Sequence, residues 1–503
     1  MRNRIVAGAL AVLLAAPSHA AAESTAHAIL ATEAKLSTRL KDAIALAEGE
    51  DVAAADAALT AIISHTDFKE MPREARLAAL SNAGWMAIRS NDLQRARNLY
   101  QTSSDIDPDD PDTWYRLSLI ELDLDNPEQA ATHLLHLLSR WPHTLENLSQ
   151  QHISMLEHEL EHHSPLRLVL LQRLFELEWS REGLGASHLW HELAVLLVER
   201  GDTGAAKAAI DHIRTPQEVI KMRVDRRFDA FVDRDAQRFD VQSVAAARAG
   251  ELRVKAMLEP ERLDVLMELT YALLALGRVD EVLAMSDAAL ALIEALGPGQ
   301  TLFEDVGDRV WLMNNRAIAL RRMGRIDEAL EQMLVASELE EEGQPNVSQA
   351  LNLGGFYCGL GRPDDALEAI APVGMMSGYG RMVQMAVKHC AARRKGDIEA
   401  GDEALAYLRD HRRDAHAIFV DALLEADRMD EAAAVVIGLL EDADTRADAL
   451  FEAQEFLRPD ALPDDAIRFG RQADLYRRPD VRDAVVRVGR IEQHPIHADN
   501  SLR

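Results

Sequence analysis

Two stretches repeat one pattern: ALSNAGWMAIRSNDLQRARNLYQTSSDIDP, residues 79–108, and TWYRLSLIELDLDNPEQAATHLLHLLSRWP, residues 113–142. Three landmarks of the first stretch return in the second after 34 residues, with Ala96, Tyr100 and Pro108 matched by Ala130, Leu134 and Pro142. An interval of this length is long enough for one helix, a turn and a second helix. The repetition therefore predicts a series of similar helix pairs.

Small residues support this interpretation because they fall where paired helices must touch. Gly84 and Gly354 have no Cβ, so the backbones can approach closely there. Four further glycines fall between the two helices of a pair, where a turn can require positive φ: Gly201, Gly277, Gly324 and Gly361. Pro108 and Pro142 end the second helix, because proline cannot continue its hydrogen bonds.

The pattern resembles the tetratricopeptide repeat (TPR) family, with Trp114 and Leu117 matching its early W-x2-L. Clearer downstream copies lie at residues 189–210, 266–285, 313–336 and 350–370, and weaker ones at 36–62, 382–408 and 416–439. The resemblance implies an all-α, right-handed superhelical solenoid of antiparallel hairpins, whose neighbours stack to share one core. It also implies a concave face that holds a peptide or a partner protein.

Composition and landmarks divide the chain into five predicted segments. They are a signal peptide at 1–22, a TPR-like segment at 23–213, an atypical helical insert or hinge at 214–261, a second TPR segment at 262–440, and a C-terminal helical cap and tail at 441–503. Within the cap we expect helices near 447–456, 464–475 and 481–488, followed by a frayed tail.

The first 22 residues are typical of a secretory signal. Basic Arg2 and Arg4 precede an apolar stretch from Ile5 to Ala16, and small residues follow around Ala20. We therefore expect an exported protein, periplasmic or secreted.

The chain has 503 residues, of which 48% are hydrophobic and 28% charged, and its formal net charge is -29. Such an acidic surface disfavours nucleic acid, whose phosphates require clustered Lys and Arg. No stretch approaches about 18 uninterrupted apolar residues, so no membrane span is expected.

One short motif points to a different function. His158-Glu159-Leu160-Glu161-His162 spells the H-E-x-x-H of zinc peptidases, in which two histidines on one helix face bind zinc and the glutamate activates water. The charged neighbours argue against a protected cleft, and a helical wheel places His158 and His162 opposite the apolar stripe. We interpret both as solvent-exposed, on a helix that ends one residue after the motif.

A weaker alternative is metal capture by the surrounding histidine-rich stretch. It would combine His158, His162 and His163 with His188 or His191 on another hairpin. Ordinary polar residues on exposed helix faces are the simpler interpretation, and no metal or other cofactor is predicted.

Cys358 and Cys390 fall at concave-side positions of consecutive first helices. Two buried thiols are the default expectation. A disulfide between them is the alternative, since its geometry cannot be derived from the sequence.

Aligning the first helices predicts a groove surface formed by eight residues: Trp85, Tyr115, Tyr271, Asn314, Arg321, Arg322, Arg393 and Arg394. The two arginine pairs suggest a clamp for an acidic segment or a carboxylate. The alternative is that these arginines neutralise neighbouring carboxylates on the protein itself.

Phosphate-binding loops and nucleophile elbows require strands, and their motifs are missing from the sequence. The sequence therefore predicts a non-catalytic scaffold or adaptor that binds a protein or peptide in its concave groove. The two alternatives are a zinc hydrolase centred on His158, Glu159 and His162, and a self-associating structural brace.

Overall fold

Antiparallel helix pairs make up almost all of the computed structural model, which describes residues 35–49, 51–180, 183–296, 302–340, 346–460, 462 and 465–498. The predicted signal peptide lies outside these residues. The described residues form two units, residues 1–179 and 180–503 of the chain, here called unit 1 and unit 2.

The described residues of unit 1 form eight helices, most of them in antiparallel pairs. Its helices are α1 (35–47), α2 (Val52–Ile63), α3 (Arg73–Arg89), α4 (Leu93–Ile106), α5 (Pro111–Asp123), α6 (Pro127–Arg140), α7 (Gln150–Glu159) and α8 (Pro165–Glu176).

Unit 2 continues the pairing. Its helices are α9 (Ser187–Glu199), α10 (Thr203–Ile210), α11 (Pro216–Val224), α12 (Val241–Leu258), α13 (Leu263–Ala275), α14 (Val279–Ala295), α15 (Arg309–Arg322), α16 (Ile326–Glu338), α17 (Val347–Gly359), α18 (Pro363–Ala369), α19 (Gly378–Lys395), α20 (Ile398–Asp410), α21 (His416–Glu425), α22 (Met429–Glu441), α23 (Arg446–Glu452), α24 (Asp465–Arg477) and α25 (Pro479–Val488). Two short strands, β1 (Glu455–Phe456) and β2 (Gln493–His494), pair in parallel.

The predicted all-α fold of antiparallel helix hairpins is observed in both units. Ala96 and Ala130 are completely buried, as the 34-residue repeat requires. The four glycines predicted between helices all have positive φ, from 71° to 76°. In the pairs α3–α4 and α5–α6 the corresponding turns use Asn91 and Asp125 at positive φ, which short polar side chains tolerate.

Gly354 on α17 shows why a small residue is required within a pair. A Cβ added there would lie 2.6 Å from Cγ2 of Ile370, next to α18, and 3.3 Å from Cγ1 of Val387 on α19. Even alanine at this position would force neighbouring elements apart.

We expect Gly354→Ala to lower the free energy of unfolding by about 1–3 kcal/mol, because the core has no room for the added methyl group. Gly250→Ala on α12 is the matched control, because its Cβ would meet nothing within 4 Å. It should stabilise the protein by about 0.5–1 kcal/mol, because alanine loses less backbone conformational entropy than glycine when the helix forms. Urea denaturation measures both changes, and destabilisation of equal size at the two positions would contradict the packing argument.

The expectation of two buried thiols is wrong. Cys358 on α17 and Cys390 on α19 form a disulfide, with their Cα atoms 6.3 Å apart. Stacking of α17 against α19 brings the two positions within disulfide range, although 32 residues separate them in sequence. The bond therefore joins two successive first helices.

The expected frayed tail is also wrong up to residue 498, because the chain after α25 returns to the first helices of unit 2. The backbone N–H of Arg490 donates to the Val224 carbonyl at 3.0 Å, and that of His497 donates to the Ala275 carbonyl at 2.8 Å. Asp225 pairs with Gly489 in an antiparallel bridge. These contacts are called the C-terminal clasp below.

Ion pairs reinforce the clasp on α11. Nζ of Lys221 lies 2.7 Å from Oδ1 of Asp448 on α23. Nε of Arg223 lies 2.9 Å from Oε2 of Glu492 beside β2. The atypical stretch predicted at 214–261 thus includes α11, the helix on which the C-terminal end of unit 2 docks.

Candidate functional site

A cavity of about 720 Å³ lies on the inner side of unit 2, in the size range of ligand-binding pockets. Its walls come mainly from α13, α15, α17, α19 and α21, the first helices of five successive pairs, and from Ala498 of the C-terminal clasp. The residues of this lining used below are Glu268, Tyr271, Asp308, Trp311, Asn314, Asn352, Tyr379, Asp421 and Glu425.

Three aromatic side chains in the lining remain open to solvent. Tyr271 on α13 is 41% exposed, Trp311 on α15 38%, and Tyr379 at the start of α19 62%. Aromatic faces of this kind offer large contact areas and attract cations. They are the strongest binding feature of the cavity.

Amide side chains add hydrogen-bonding groups. Asn352 on α17 donates from Nδ2 to Oδ1 of Asn314 on α15 at 3.2 Å, which links two successive first helices. Asn314 is only 9% exposed, and the pair leaves one amide donor and one amide acceptor to meet a ligand. The neighbouring Asn315 has a structural role, since its Nδ2 donates to Thr270 Oγ1 at 3.0 Å.

The charge of the described lining is negative. It holds four carboxylates, from Glu268, Asp308, Asp421 and Glu425, and no lysine, arginine or histidine. Asp421 Oδ2 lies 2.7 Å from Nη1 of Arg468 on α24, a residue outside the lining.

Two of the eight predicted groove residues, Tyr271 and Asn314, line this cavity. Sequence reasoning missed Trp311 and Tyr379. Trp311 lies three residues before Asn314, and such residues share one helix face, so the alignment contained the signal for it. Tyr379 lies in the first turn of α19, ahead of the landmarks on which the alignment depended.

The four predicted arginines do not line the cavity. Arg321 is buried with 3% exposure, and Arg322 donates from Nη1 to the Leu274 carbonyl at 2.6 Å. Arg393 and Arg394 are exposed in the last turn of α19, where cations favour the helix terminus. The structure gives these arginines no shared acidic-ligand site within the cavity.

The other two predicted residues belong to unit 1. Trp85 on α3 is exposed, and the guanidinium of Arg116 lies 5.3 Å from its ring centroid. Tyr115 on α5 accepts a hydrogen bond from the backbone N–H of Ser149 at 3.0 Å. Burial raises the pKa of Tyr115, so its hydroxyl remains protonated near neutrality.

The H-E-x-x-H motif does not lie on one helix. Helix α7 ends at Glu159, and Leu160 already has extended backbone angles. The expectation that both histidines are exposed holds for His158 but is wrong for His162, which is 5% exposed. A zinc site of this type needs both imidazoles on one face, and the break in the helix separates them.

Nor does the wider histidine-rich stretch present a metal site. Among the described residues, no group of three or more His, Cys, Asp and Glu is arranged to hold a metal ion. His191 on α9 is fully buried, with Nδ1 3.2 Å from Oε1 of Glu192.

A serine–histidine pair in unit 1 was not anticipated. Ser118 Oγ lies 2.9 Å from Nε2 of His152 and donates its own proton to the Ala130 carbonyl at 2.8 Å. Ser118 is completely buried, so no substrate reaches it. Because the hydroxyl proton is already used, Nε2 must donate to the serine, and the pair is structural rather than nucleophilic.

Burial lowers the pKa of His152 to about 4, and its Nδ1 has no hydrogen-bond partner. In the unfolded chain the imidazole of His152 binds a proton below about pH 6.5, whereas in the folded protein it binds one only below about pH 4. Stability from this residue is therefore complete above pH 6.5 and decreases as the pH falls towards 4.

We expect the free energy of unfolding of unit 1 to fall by about 2–3 kcal/mol from this effect when the pH is lowered from 7.5 to 4.5. The measurement is hydrogen exchange of α5–α7 peptides in denaturant at both pH values, for the wild type and for His152→Gln. The variant should show a pH dependence smaller by that amount. An unchanged pH dependence would contradict the assigned role of His152.

Comparisons with known proteins find structural similarity only at low levels. No family model matches the chain, and no curated protein matches it in sequence. Among the described residues no helix is long and apolar enough to cross a membrane.

Three solved structures illustrate the similarity. The APC/C hetero-tetramer Cut9-Hcn1 is 13% identical, with a TM-score of 0.35 and coverage of 87% of this chain and 76% of that chain. The yeast Tom70 structure is 13% identical, with a TM-score of 0.31 and coverage of 88% and 97%. Naa15/Naa10 bound to HypK-THB is 13% identical, with a TM-score of 0.27 and coverage of 91% and 79%. The fold assignment rests on the helix pairs described above rather than on these similarities.

Proposed function

We propose that the protein is a non-catalytic scaffold that binds a peptide or a segment of a partner protein in the cavity of unit 2. The observation that carries this proposal is the cavity itself, whose walls come from five successive first helices and hold three exposed aromatic rings. Stacked hairpins create such extended inner surfaces as a direct result of their curvature.

We also propose that it acts in the periplasm or cell envelope, or outside the cell. The signal-like first 22 residues support this location. The Cys358–Cys390 disulfide supports it as well, because such bonds persist mainly in oxidising compartments.

Site-specific photo-crosslinking in living cells tests the binding role. A benzophenone amino acid replaces Trp311 in the cavity or, as a control, Leu334, an exposed residue on α16 that does not line the cavity. Covalent adducts of defined mass should form at position 311 and not at 334. Adducts of equal yield at the two positions, or none at 311, would count against the cavity as the binding site.

The zinc hydrolase alternative has a separate test. Protein purified without chelators should contain no stoichiometric zinc that depends on His158. One equivalent of zinc that disappears in His158→Ala would overturn the non-catalytic proposal.

A further inference from the structure

The cavity combines negative charge with aromatic faces in a repeated arrangement. On α13, Glu268 precedes Tyr271 by three residues, and Asp308, the residue just before α15, precedes Trp311 on α15 by three residues. Residues three apart on a helix share one face, and Asp308 already has helical backbone angles, so a carboxylate lies one turn from an aromatic ring at both places. A positively charged side chain is the group that both neighbours attract.

The negative charge of the cavity disfavours negatively charged ligands. Glu425 and Asp421 on α21 add two further carboxylates on another wall, and the described lining contains no basic side chain. Arg468, which is not in the lining, offsets part of the charge of Asp421. An acidic peptide, a phosphopeptide or a nucleic acid would therefore enter an unfavourable field.

The amide pair on α15 and α17 favours a peptide over a small cation. Asn352 uses Nδ2 to donate to Oδ1 of Asn314, which leaves Nδ2 of Asn314 as a donor and Oδ1 of Asn352 as an acceptor. One donor and one acceptor side by side match the C=O and N–H of a peptide backbone. Asn314 lies in the cavity lining, so this donor is available to such a ligand.

We propose that the occupant of the cavity is a cationic peptide segment, with a lysine or arginine side chain held between the aromatic rings and the carboxylates. This proposal rests on the proposed function, because it specifies the chemistry of the ligand of that same cavity. The net charge of -29 adds a long-range attraction for basic partners.

The test uses an array of randomised octapeptides probed with the full chain. Bound peptides should be enriched in lysine and arginine and depleted in aspartate and glutamate. The tightest basic peptide is then resynthesised with glutamine in place of each lysine and arginine, and its dissociation constant is measured by fluorescence anisotropy at low and at physiological salt. The neutral form should bind at least about 10-fold more weakly, and salt should weaken binding of the basic form only.

Variants locate the effect in the cavity. Glu268→Gln combined with Asp308→Asn removes two lining charges and should weaken the basic peptide at least about 10-fold. Asp327→Asn combined with Glu331→Gln removes two exposed charges from α16, outside the lining, and should change binding less than about two-fold. Circular dichroism checks folding, and the salt dependence of the unmodified chain serves as a readout that needs no variant.

The outcomes separate the two proposals. If neutral or acidic peptides bind, and Trp311→Ala abolishes their binding while the two charge variants do not affect it, the cationic ligand is overturned and the binding function remains. If no octapeptide binds, or if binding is insensitive to Trp311→Ala and to the lining charges, both proposals are overturned.

Discussion

Reducing the Cys358–Cys390 disulfide is expected to lower the free energy of unfolding of unit 2 by about 3–4 kcal/mol. The bond closes a loop of 32 residues, so it restricts the unfolded chain considerably. It also joins α17 and α19, both of which line the cavity, so its loss should loosen the cavity wall as well.

Urea denaturation with and without dithiothreitol measures this effect. The control is Cys358→Ala combined with Cys390→Ala, whose stability should not respond to reductant. Equal stability of the oxidised and reduced wild type, or two titratable thiols before reduction, would contradict the prediction.

Replacing Glu157 with alanine is expected to destabilise unit 1 by about 3–5 kcal/mol, because it removes a carboxylate that pairs with a buried guanidinium. Glu157 on α7 accepts a hydrogen bond from Nε of Arg167 on α8 at 2.9 Å, and both side chains are buried. The pair links α7, which contains the first two residues of the H-E-x-x-H motif, to α8, which begins three residues after it.

The matched control lies two residues along the same helix. Glu159 is exposed, so Glu159→Ala should change stability by less than about 0.5 kcal/mol. A second arm, Glu157→Leu combined with Arg167→Met, should recover most of the loss by replacing the ion pair with apolar packing. Chemical denaturation followed by hydrogen exchange of α7–α8 peptides gives both values. A larger effect at Glu159 than at Glu157 would point instead to a role for the motif.

The repeats were predictable because their signals are local. The 34-residue interval, the small residues inside pairs and the glycines between helices all concern contacts within one hairpin or between neighbours. Gly354 and Ala96 occupy the positions that this pattern assigns to them.

Features that depend on distant parts of the chain were not predictable in the same way. Arg223 and Glu492 are 269 residues apart in sequence, and no periodic pattern relates them. The sequence did not decide between two thiols and a disulfide for a similar reason, because the distance between α17 and α19 depends on how two pairs stack. The burial of His162 follows from the end of α7 at Glu159, a boundary that periodicity locates poorly.

The groove residues were only partly predictable from the sequence. Helix alignment identified Tyr271 and Asn314, because an inner helix face follows from the repeat. It also selected Arg321, but this side chain is buried. A small rotation of a helix about its axis decides whether a side chain lines the cavity or packs in the core. The spacing of residues in the sequence does not determine that rotation.

The C-terminal clasp changes the mechanics expected of such an architecture. In an open stack of hairpins each hairpin contacts only its neighbours, so the stack can flex and can gain or lose hairpins at its free end. In unit 2 the last described residues bind to α11 and α13, so inserting or deleting one hairpin between these contacts would disrupt them. The contacts also link Ala498 to the cavity that it lines, so the width of the cavity depends on the position of the C-terminal residues as well as on the individual helix pairs.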